Sequence, residues 1–219
     1  PISNFADGKY LLMGTKQGFI KKTPLNEYDS SRKTGLLSIT LREDDELIDV
    51  RLTDGQDNVV LVTSQGICIT FSEKDVRPMG RTAQGVIGIR LNDDDFVIGM
   101  ESIIEGNTNA TLLAITENGF GKRTELEEYR VQTRGGKGVM TYKITPKTGN
   151  IVGIRVATDN EDVMLITENG TIIRLRVKDI SILGRATQGV TLMRTNEGRV
   201  VSIETINPEE NDISEQIQE

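Results

Sequence analysis

Histidine is absent from the 219 residues. No Ser-His-Asp or Cys-His arrangement can be assembled, no imidazole can move a proton, and no histidine-based zinc site is available. Tryptophan is also absent, and aromatics are only 4% of the chain against 36% hydrophobic residues, so the core has to be aliphatic. The one cysteine, Cys68, excludes an internal disulfide framework and fits a reducing compartment. Set in "GICITF", it reads as a buried strand thiol and not as a nucleophile. No apolar run approaches the roughly 20 residues that cross a bilayer, and the opening residues do not read as a signal peptide. No segment sustains a 3.6-residue apolar period, so little helix is expected. Catalysis would have to rest on Asp, Glu, Lys or Tyr, and no pair of these stands out.

Basic residues are also in deficit. The net charge is −7, from 26 cations and 33 acids, which at first sight speaks against a polyanionic partner. The acids are unevenly spread, however. "EENDISEQIQE" (209–219) carries five of them and no cation, which leaves residues 1–208 with 26 cations against 28 acids. Others gather in "REDDE" (42–46) and "NDDD" (92–95), apart from the cations.

What the chain does have is repetition. A first landmark reads "TKQG" (15–18), "TSQG" (63–66), "TENG" (116–119) and "TENG" (167–170). A second reads "SRKTG" (31–35), "GRTAQG" (80–85), "TRGGKG" (133–138) and "GRATQG" (184–189). The two glycines are 17, 19, 19 and 19 residues apart, and successive first glycines 48, 53 and 51. A third landmark, "LIDV", "FVIG", "IVGI" and "VVSI", begins at 47, 96, 151 and 200. Each first landmark joins two short aliphatic runs, such as "NVVLVT" and "ICITF", across an Asn/Gln-Gly corner, the pattern of a tight hairpin. Four repeats of about 50 residues with four strands each are propeller-type blades. Their bounds fall near 8–54, 56–106, 108–160 and 161–206, within one domain of residues 1–208. Pro1-Ile2-Ser3 reads as the end of a preceding repeat, so further blades are expected upstream.

"VQTRGGKGV" (131–139) packs three glycines and two cations into its centre. It is not a Walker A loop, because Lys137 is followed by Gly138 and then by the strand-like "VMTYKI". A plain turn would not need Arg134 and Lys137. Arg32, Lys33, Arg81 and Arg185 hold equivalent positions in the other repeats. Lys22, Arg123 and Arg174 recur four residues past the hairpin glycine, with Lys21 and Lys122 beside them and Thr70 in the second repeat. Such a row suits the phosphates of a regular polyanion. No aromatic-rich strand surface for stacking and no recognition helix is evident, so duplex DNA held by its backbone is the expected ligand.

The four-fold corners, "NGFGKRTELEEY" (118–129), "SILGRATQGVTLMRT" (181–195) and "QTRGGKG" (132–138) resemble the C-terminal domain of the bacterial DNA gyrase A subunit, and less closely its topoisomerase IV counterpart. The resemblance extends to about residue 205. It implies an all-β pinwheel, a propeller whose blades exchange a strand with a neighbour, with DNA wrapped on a basic rim in support of ATP-dependent negative supercoiling. It also implies a non-catalytic, monomeric piece of a cytoplasmic, nucleoid-associated type IIA topoisomerase made of A and B subunits. ATP and Mg²⁺ would belong to other parts of that enzyme, and neither a cofactor nor a metal to this one. The family domain usually has six blades, and its Gln-Arg-Arg-Gly-Gly-Lys-Gly box sits in the first; "QTRGGKG", in the third repeat here, reads as a degenerate box of a late blade.

The expected DNA contacts are Lys21, Lys22, Arg32, Lys33, Arg81, Lys122, Arg123, Gln132, Arg134, Gly135, Gly136, Lys137, Gly138, Arg174, Arg176 and Arg185. Tyr10, Tyr28, Tyr129 and Tyr142 are assigned to packing. Two rival readings stand beside this one: a topoisomerase IV domain that senses DNA geometry, and a protein-binding propeller whose charge is incidental. If each blade borrows a strand from upstream, residues 1–54 should be the least protected from hydrogen exchange.

Residues 209–219 carry a charge of −5 and only Ile213 and Ile217 as large apolar side chains, so this tail is expected to be disordered and to compete with DNA for the cations. A chain ending at Pro208 is therefore expected to bind duplex DNA more tightly at low salt, with the gain shrinking as salt screens the tail. Equal affinities for the two lengths across a salt titration would remove any role for the tail.

Overall fold

The computed structural model describes residues 5, 8–29, 35–104, 106, 109–195 and 198–207. Arg32, Lys33 and the acidic tail lie outside them. The chain forms two compact units, residues 1–106 with 130–139 and residues 107–129 with 140–219.

Each repeat begins with a hairpin. In the first, β1 (Tyr10–Thr15) turns at Gly18 into β2 (Phe19–Pro24), and β3 (Leu47–Thr53) pairs with the other side of β1. The second repeat supplies β4 (Asn58–Thr63), β5 (Ile67–Ser72), the two-residue β6 (Val86–Ile87) and β7 (Val97–Ile103). The third supplies β8 (Ala110–Thr116), β9 (Phe120–Glu125), β10 (Val139–Met140) and β11 (Ile151–Thr158). The fourth supplies β12 (Asp162–Thr167), β13 (Ile172–Arg176), β14 (Val190–Thr191) and β15 (Val200–Ile206). A 3-10 turn of three or four residues follows each second strand, and no longer helix occurs among the described residues.

The sheets are ordered β3-β1-β2-β6, β10-β5-β4-β7, β11-β8-β9-β14 and β13-β12-β15. A short strand of the following repeat thus completes each of the first three. Ile87 and Val86 pair with Phe19 and Ile20, and Thr191 and Val190 with Phe120 and Gly121. The segment leading to each short strand is also tied down. The amides of Met79, Gln132 and Leu183 donate to the carbonyls of Lys22, Thr70 and Arg123, at 2.8, 2.7 and 2.8 Å. These segments are called straps below.

Strand exchange is present, as expected of a pinwheel, but its direction is opposite to the one assumed above. The first repeat has a complete four-stranded sheet, and the fourth has three strands among the described residues. The expectation of weak protection over residues 1–54 therefore falls, because β1 and β2 are bonded on both sides.

Within each unit two sheets pack face to face on an aliphatic core. Leu12 and Ile20 of the first blade meet Leu61, Ile69, Phe71 and Met100 of the second. Leu113 and Ile115 of the third meet Val163, Leu165, Val177 and Ile203 of the fourth. Cys68 lies in the interior, as "GICITF" suggested. The paired blades approach through β3 and β7 in one unit and through β11 and β15 in the other. The short donated strands occupy the opposite edge of their sheets.

The hairpin glycines show what donation demands. Gly18 and Gly170 share φ = +83°, yet a Cβ on Gly18 would lie 2.8 Å from the Ile89 carbonyl oxygen whereas Gly170 has nothing within 4 Å. Gly170→Ala should cost about 1 kcal/mol for its left-handed backbone alone. Gly18→Ala is expected to cost about 1–3 kcal/mol more, because the segment that follows the donated strand of the second repeat must retreat. Urea unfolding checks this; equal losses would show that this segment does not press on the corner.

Candidate nucleic-acid interface

The cations fall into three environments that sequence position alone does not separate. The first is the interior. Lys21 and Lys122 are completely buried, and Lys22 and Arg123 are 4% exposed. The Lys122 ammonium donates to the carbonyls of Gly184 (2.6 Å) and Arg185 (2.5 Å) and to Thr187 Oγ1 (3.1 Å), with the Tyr142 ring 5.2 Å away. Lys21 donates to Thr23 Oγ1 (2.5 Å) and the Ser38 carbonyl (2.7 Å), and Lys22 to the Glu73 carbonyl (2.7 Å). Arg123 donates to the Ile180 carbonyl (2.9 Å) and pairs with Asp159. The structure thus places these four, expected on a DNA-facing row, in the interior with their polar hydrogens bonded to the protein.

The second environment is the loop before each donated strand. Arg81, Arg134 and Arg185 occupy one position of the repeat and do one thing. The Nη1 of each donates to a carbonyl of the preceding repeat, Leu37 (3.3 Å), Ile87 (3.0 Å) and Met140 (3.1 Å) respectively. Arg134 Nε donates also to the Asp75 carbonyl at 2.9 Å. The rest of "VQTRGGKGV" is a strap as well. The Gly135 amide donates to the Gly88 carbonyl (2.6 Å), and the Gly136 carbonyl accepts from the Arg90 amide (2.8 Å). Gly138 has φ = +75°, and a Cβ there would stand 2.5 Å from the Cys68 carbonyl oxygen. This glycine serves the close approach of two backbones. Lys137 is the exposed cation of this loop.

The third environment is exposed. Arg174 and Arg176 lie on β13 but pair with Asp162 (2.6 Å) and Asp179 (2.7 Å). Arg77, Arg90, Arg130, Lys137, Lys143, Lys178 and Arg194 are exposed and form no ion pair with a described acid. Of these seven, only Lys137 was singled out from the sequence. The signal was there: Arg90, Lys143 and Arg194 each stand five residues past a loop glycine (Gly85, Gly138, Gly189). Arg77 and Arg130 each stand eleven past a hairpin glycine. Arg77, Arg130 and Lys137 lie on straps, and Arg90, Lys143 and Arg194 each stand three residues past a short donated strand, so these six run along the donated-strand edge of their sheets. A further signal is the stretch from Tyr129 to Thr158, which contains six cations and no acid.

The acids of "REDDE" and "NDDD" are held in corners. Asp45 and Asp95 are buried, and each accepts from the backbone of the hairpin turn beside it, Gln17 N–H at 2.9 Å and Gln65 N–H at 3.1 Å. Asp44 and Asp94 take the left-handed conformation that turns the chain there, φ = +56° and +59°. Tyr129 and Tyr142 are buried, as packing roles require; the Tyr142 hydroxyl donates to the Gln188 carbonyl (2.5 Å) and burial raises its pKa. No described helix is long and apolar enough to cross a membrane.

Four antiparallel blades, strand donation to the preceding repeat and cations along the donated-strand edges define a propeller-type domain. Residues 9–54, 57–104, 110–158 and 161–207 match the family described as "DNA gyrase C-terminal domain, beta-propeller", and the chain belongs to that family. It is 47% identical over 193 residues to the A subunit of DNA gyrase from Staphylococcus epidermidis, covering 88% of this chain and 22% of that protein. It is 45% identical over 197 residues to the A subunit of DNA gyrase from Staphylococcus aureus, covering 90% of this chain and 22% of that one. The chain thus spans about a fifth of the length of these relatives. Among solved structures, the C-terminal domain of DNA topoisomerase IV superposes with a TM-score of 0.91 at 30% identity, over 100% of this chain and 68% of the other. The DNA gyrase A C-terminal domain superposes at 0.84 and 24%, over 94% of this chain and 68% of the other, and bears on the fold alone.

The buried lysines make stability depend on pH. Burial lowers the pKa of Lys122 from 10.5 to about 8, with Glu128 raising it and Arg185 lowering it further. Lys21 is lowered to about 8 in the same way. Between pH 8 and 10.5 the unfolded chain holds protons that the folded chain has released, so stability rises with pH across that window. Lys122→Met is expected to flatten part of this rise in urea midpoints; an unchanged pH profile would contradict it.

Proposed function

We propose that this domain binds duplex DNA through the phosphate backbone along its donated-strand edges, as the C-terminal part of a gyrase A subunit, and bends or wraps it there. The observation that carries the reading is the set of exposed cations that form no ion pair with a described acid and recur at one position, three residues past the donated strand, in three successive repeats (Arg90, Lys143, Arg194). Guanidinium and ammonium groups at a fixed repeat spacing suit the regular charge of a duplex. Base reading is not expected, because no helix or ribbon projects among the described residues that could enter a groove. The buried and clamping cations take no part in the contact, so Lys21, Lys22, Lys122, Arg123, Arg81, Arg134 and Arg185 support it indirectly.

The family and the gyrase relatives support assignment to a type IIA topoisomerase in which this chain acts with the gyrase B subunit. In that reading the domain's contribution is non-catalytic, and ATP and Mg²⁺ act elsewhere in the enzyme. The likeness to the topoisomerase IV domain favours a second reading, in which DNA geometry is sensed without a full wrap. Supercoiling by the whole enzyme separates the two, since only wrapping gives the strand passage a direction.

The direct test is a fluorescence-anisotropy titration of labelled duplexes over a salt series. Replacing Arg130, Lys137 and Lys143 together by Gln is expected to lower the slope of log K against log salt by about 2–3 units, similarly for every sequence. Arg134→Gln should instead lower the unfolding midpoint and leave the slope nearly unchanged. A slope unaffected by the triple change would return the domain to a protein-binding propeller.

A further inference from the structure

Two hairpin corners contain the Asn-Gly links of the chain, Asn118–Gly119 and Asn169–Gly170, each preceded by Thr-Glu. They share a turn as well as a sequence. In both, the glycine amide donates to the carbonyl of the threonine three residues back, at 3.0 Å from Gly119 and 2.9 Å from Gly170. Their surroundings differ. Gly119 is buried, its carbonyl accepts from the amides of Leu192 (2.9 Å) and Met193 (3.1 Å), and a Cβ on it would overlap the Met193 carbonyl oxygen. The Asn118 side chain is held too, its Nδ2 donating to the Lys147 carbonyl at 3.1 Å. Around Gly170 nothing comes within 4 Å of a Cβ position, and residues 168–171 are all exposed.

Asn-Gly is the link at which an asparagine most readily loses ammonia, because no side chain on the glycine obstructs attack by its amide nitrogen. The Gly170 nitrogen bonds to Asn169 Cγ, and its proton leaves with the side-chain NH₂ as ammonia, closing a five-membered imide. Water then opens the ring on either side of the imide nitrogen. The product is an aspartate in the ordinary chain or one linked through its side-chain carbon. Nothing is oxidised or reduced, and water is the one co-reactant.

The fourth corner is built to allow this step. Asn169 Oδ1, which takes up negative charge as the ring closes, accepts from the Thr167 hydroxyl and from the Thr171 amide (3.3 Å), an Asx turn that spans Gly170. Thr167, Asn169, Thr171 and Arg194 line one open cleft of about 230 Å³, so water reaches the amide. The hairpin β12–β13 also lacks an outer strand among the described residues, which lowers the cost of opening its corner.

We propose that Asn169 is a modification site: the Asn169–Gly170 corner deamidates spontaneously while its twin at Asn118 is protected. The carboxylate so formed pairs with Arg194 across the cleft and withdraws that cation from the donated-strand edge. This second half rests on the DNA reading given above.

Peptide mass spectrometry of the whole chain, kept folded in mildly alkaline buffer, follows the amide-to-acid mass gain at both asparagines. Conversion at Asn169 is expected to run about tenfold or more faster than at Asn118, a ratio that falls below about threefold in urea, where neither link is protected. Equal rates in the folded chain, faster conversion at Asn118, no conversion at either, or a ratio that urea leaves unchanged overturns the site. For the consequence, Asn169→Asp should lower the slope of log K against log salt for a labelled duplex by about one unit, and should have no effect on the slope of Arg194→Gln. A slope that Asn169→Asp does not move, or moves equally in the absence of Arg194, overturns the pairing. A chain that binds no duplex before any conversion would sink the DNA reading instead, with the mass gain still deciding the site.

Discussion

Each of the first three sheets ends in two residues that belong to the next repeat, and most of the side-chain chemistry in this domain follows from holding those two residues in place. A strand this short has two pairs of backbone partners and little side-chain area, so it cannot hold itself. It is fixed on one side by a strap amide bonded to the acceptor strand, as Leu183 is to Arg123, and on the other by amides that reach the hairpin glycine, as Leu192 and Met193 reach Gly119. Each loop arginine then closes over the carbonyl of the previous donated strand or its equivalent. In the third blade Lys122 holds the turn of the loop. Taking an ammonium out of water is costly unless its protons are bonded, and Lys122 meets that condition with three acceptors.

The same constraint sorts charge by function. Cations whose protons are spent on carbonyls cannot also hold a polyanion, whereas the exposed ones along the donated-strand edges form no ion pair with a described acid. An acidic chain can therefore present basic edges. Its acids are used as turn caps at the corners, where Asp45 and Asp95 satisfy hairpin amides, and the longest acid-free stretch runs through the diglycine strap and beyond it.

Much of the fold was legible because the strongest signals are local. The Asn/Gln-Gly corners mark every hairpin, and the spacing of the landmarks marks every repeat. The direction of exchange was not legible, because β6, β10 and β14 are two residues long and leave no periodic trace. The interface was half-legible for a related reason. A lysine that donates to a carbonyl and one that awaits a phosphate look alike in a sequence, and what separates Lys122 from Lys143 is a strap that reaches the first from 62 residues further along the chain. The repeat position five past the loop glycine carried the exposed set, but only burial shows that it faces solvent whereas Lys22 and Arg123, four past their hairpin glycines, do not.

That separation also fixes an order of events during synthesis. The chain grows from its N-terminus, so when Lys122 leaves the ribosome the carbonyls of Gly184 and Arg185 that will receive its protons have not been made. β9 must wait with an open edge and a hydrated ammonium until the next repeat emerges, and the same delay holds for β2 and β5. Blades therefore mature one repeat behind the growing end. At the residue rates of translation, about 5–20 per second, each pause lasts several seconds, during which an unpaired strand edge is exposed to other nascent chains.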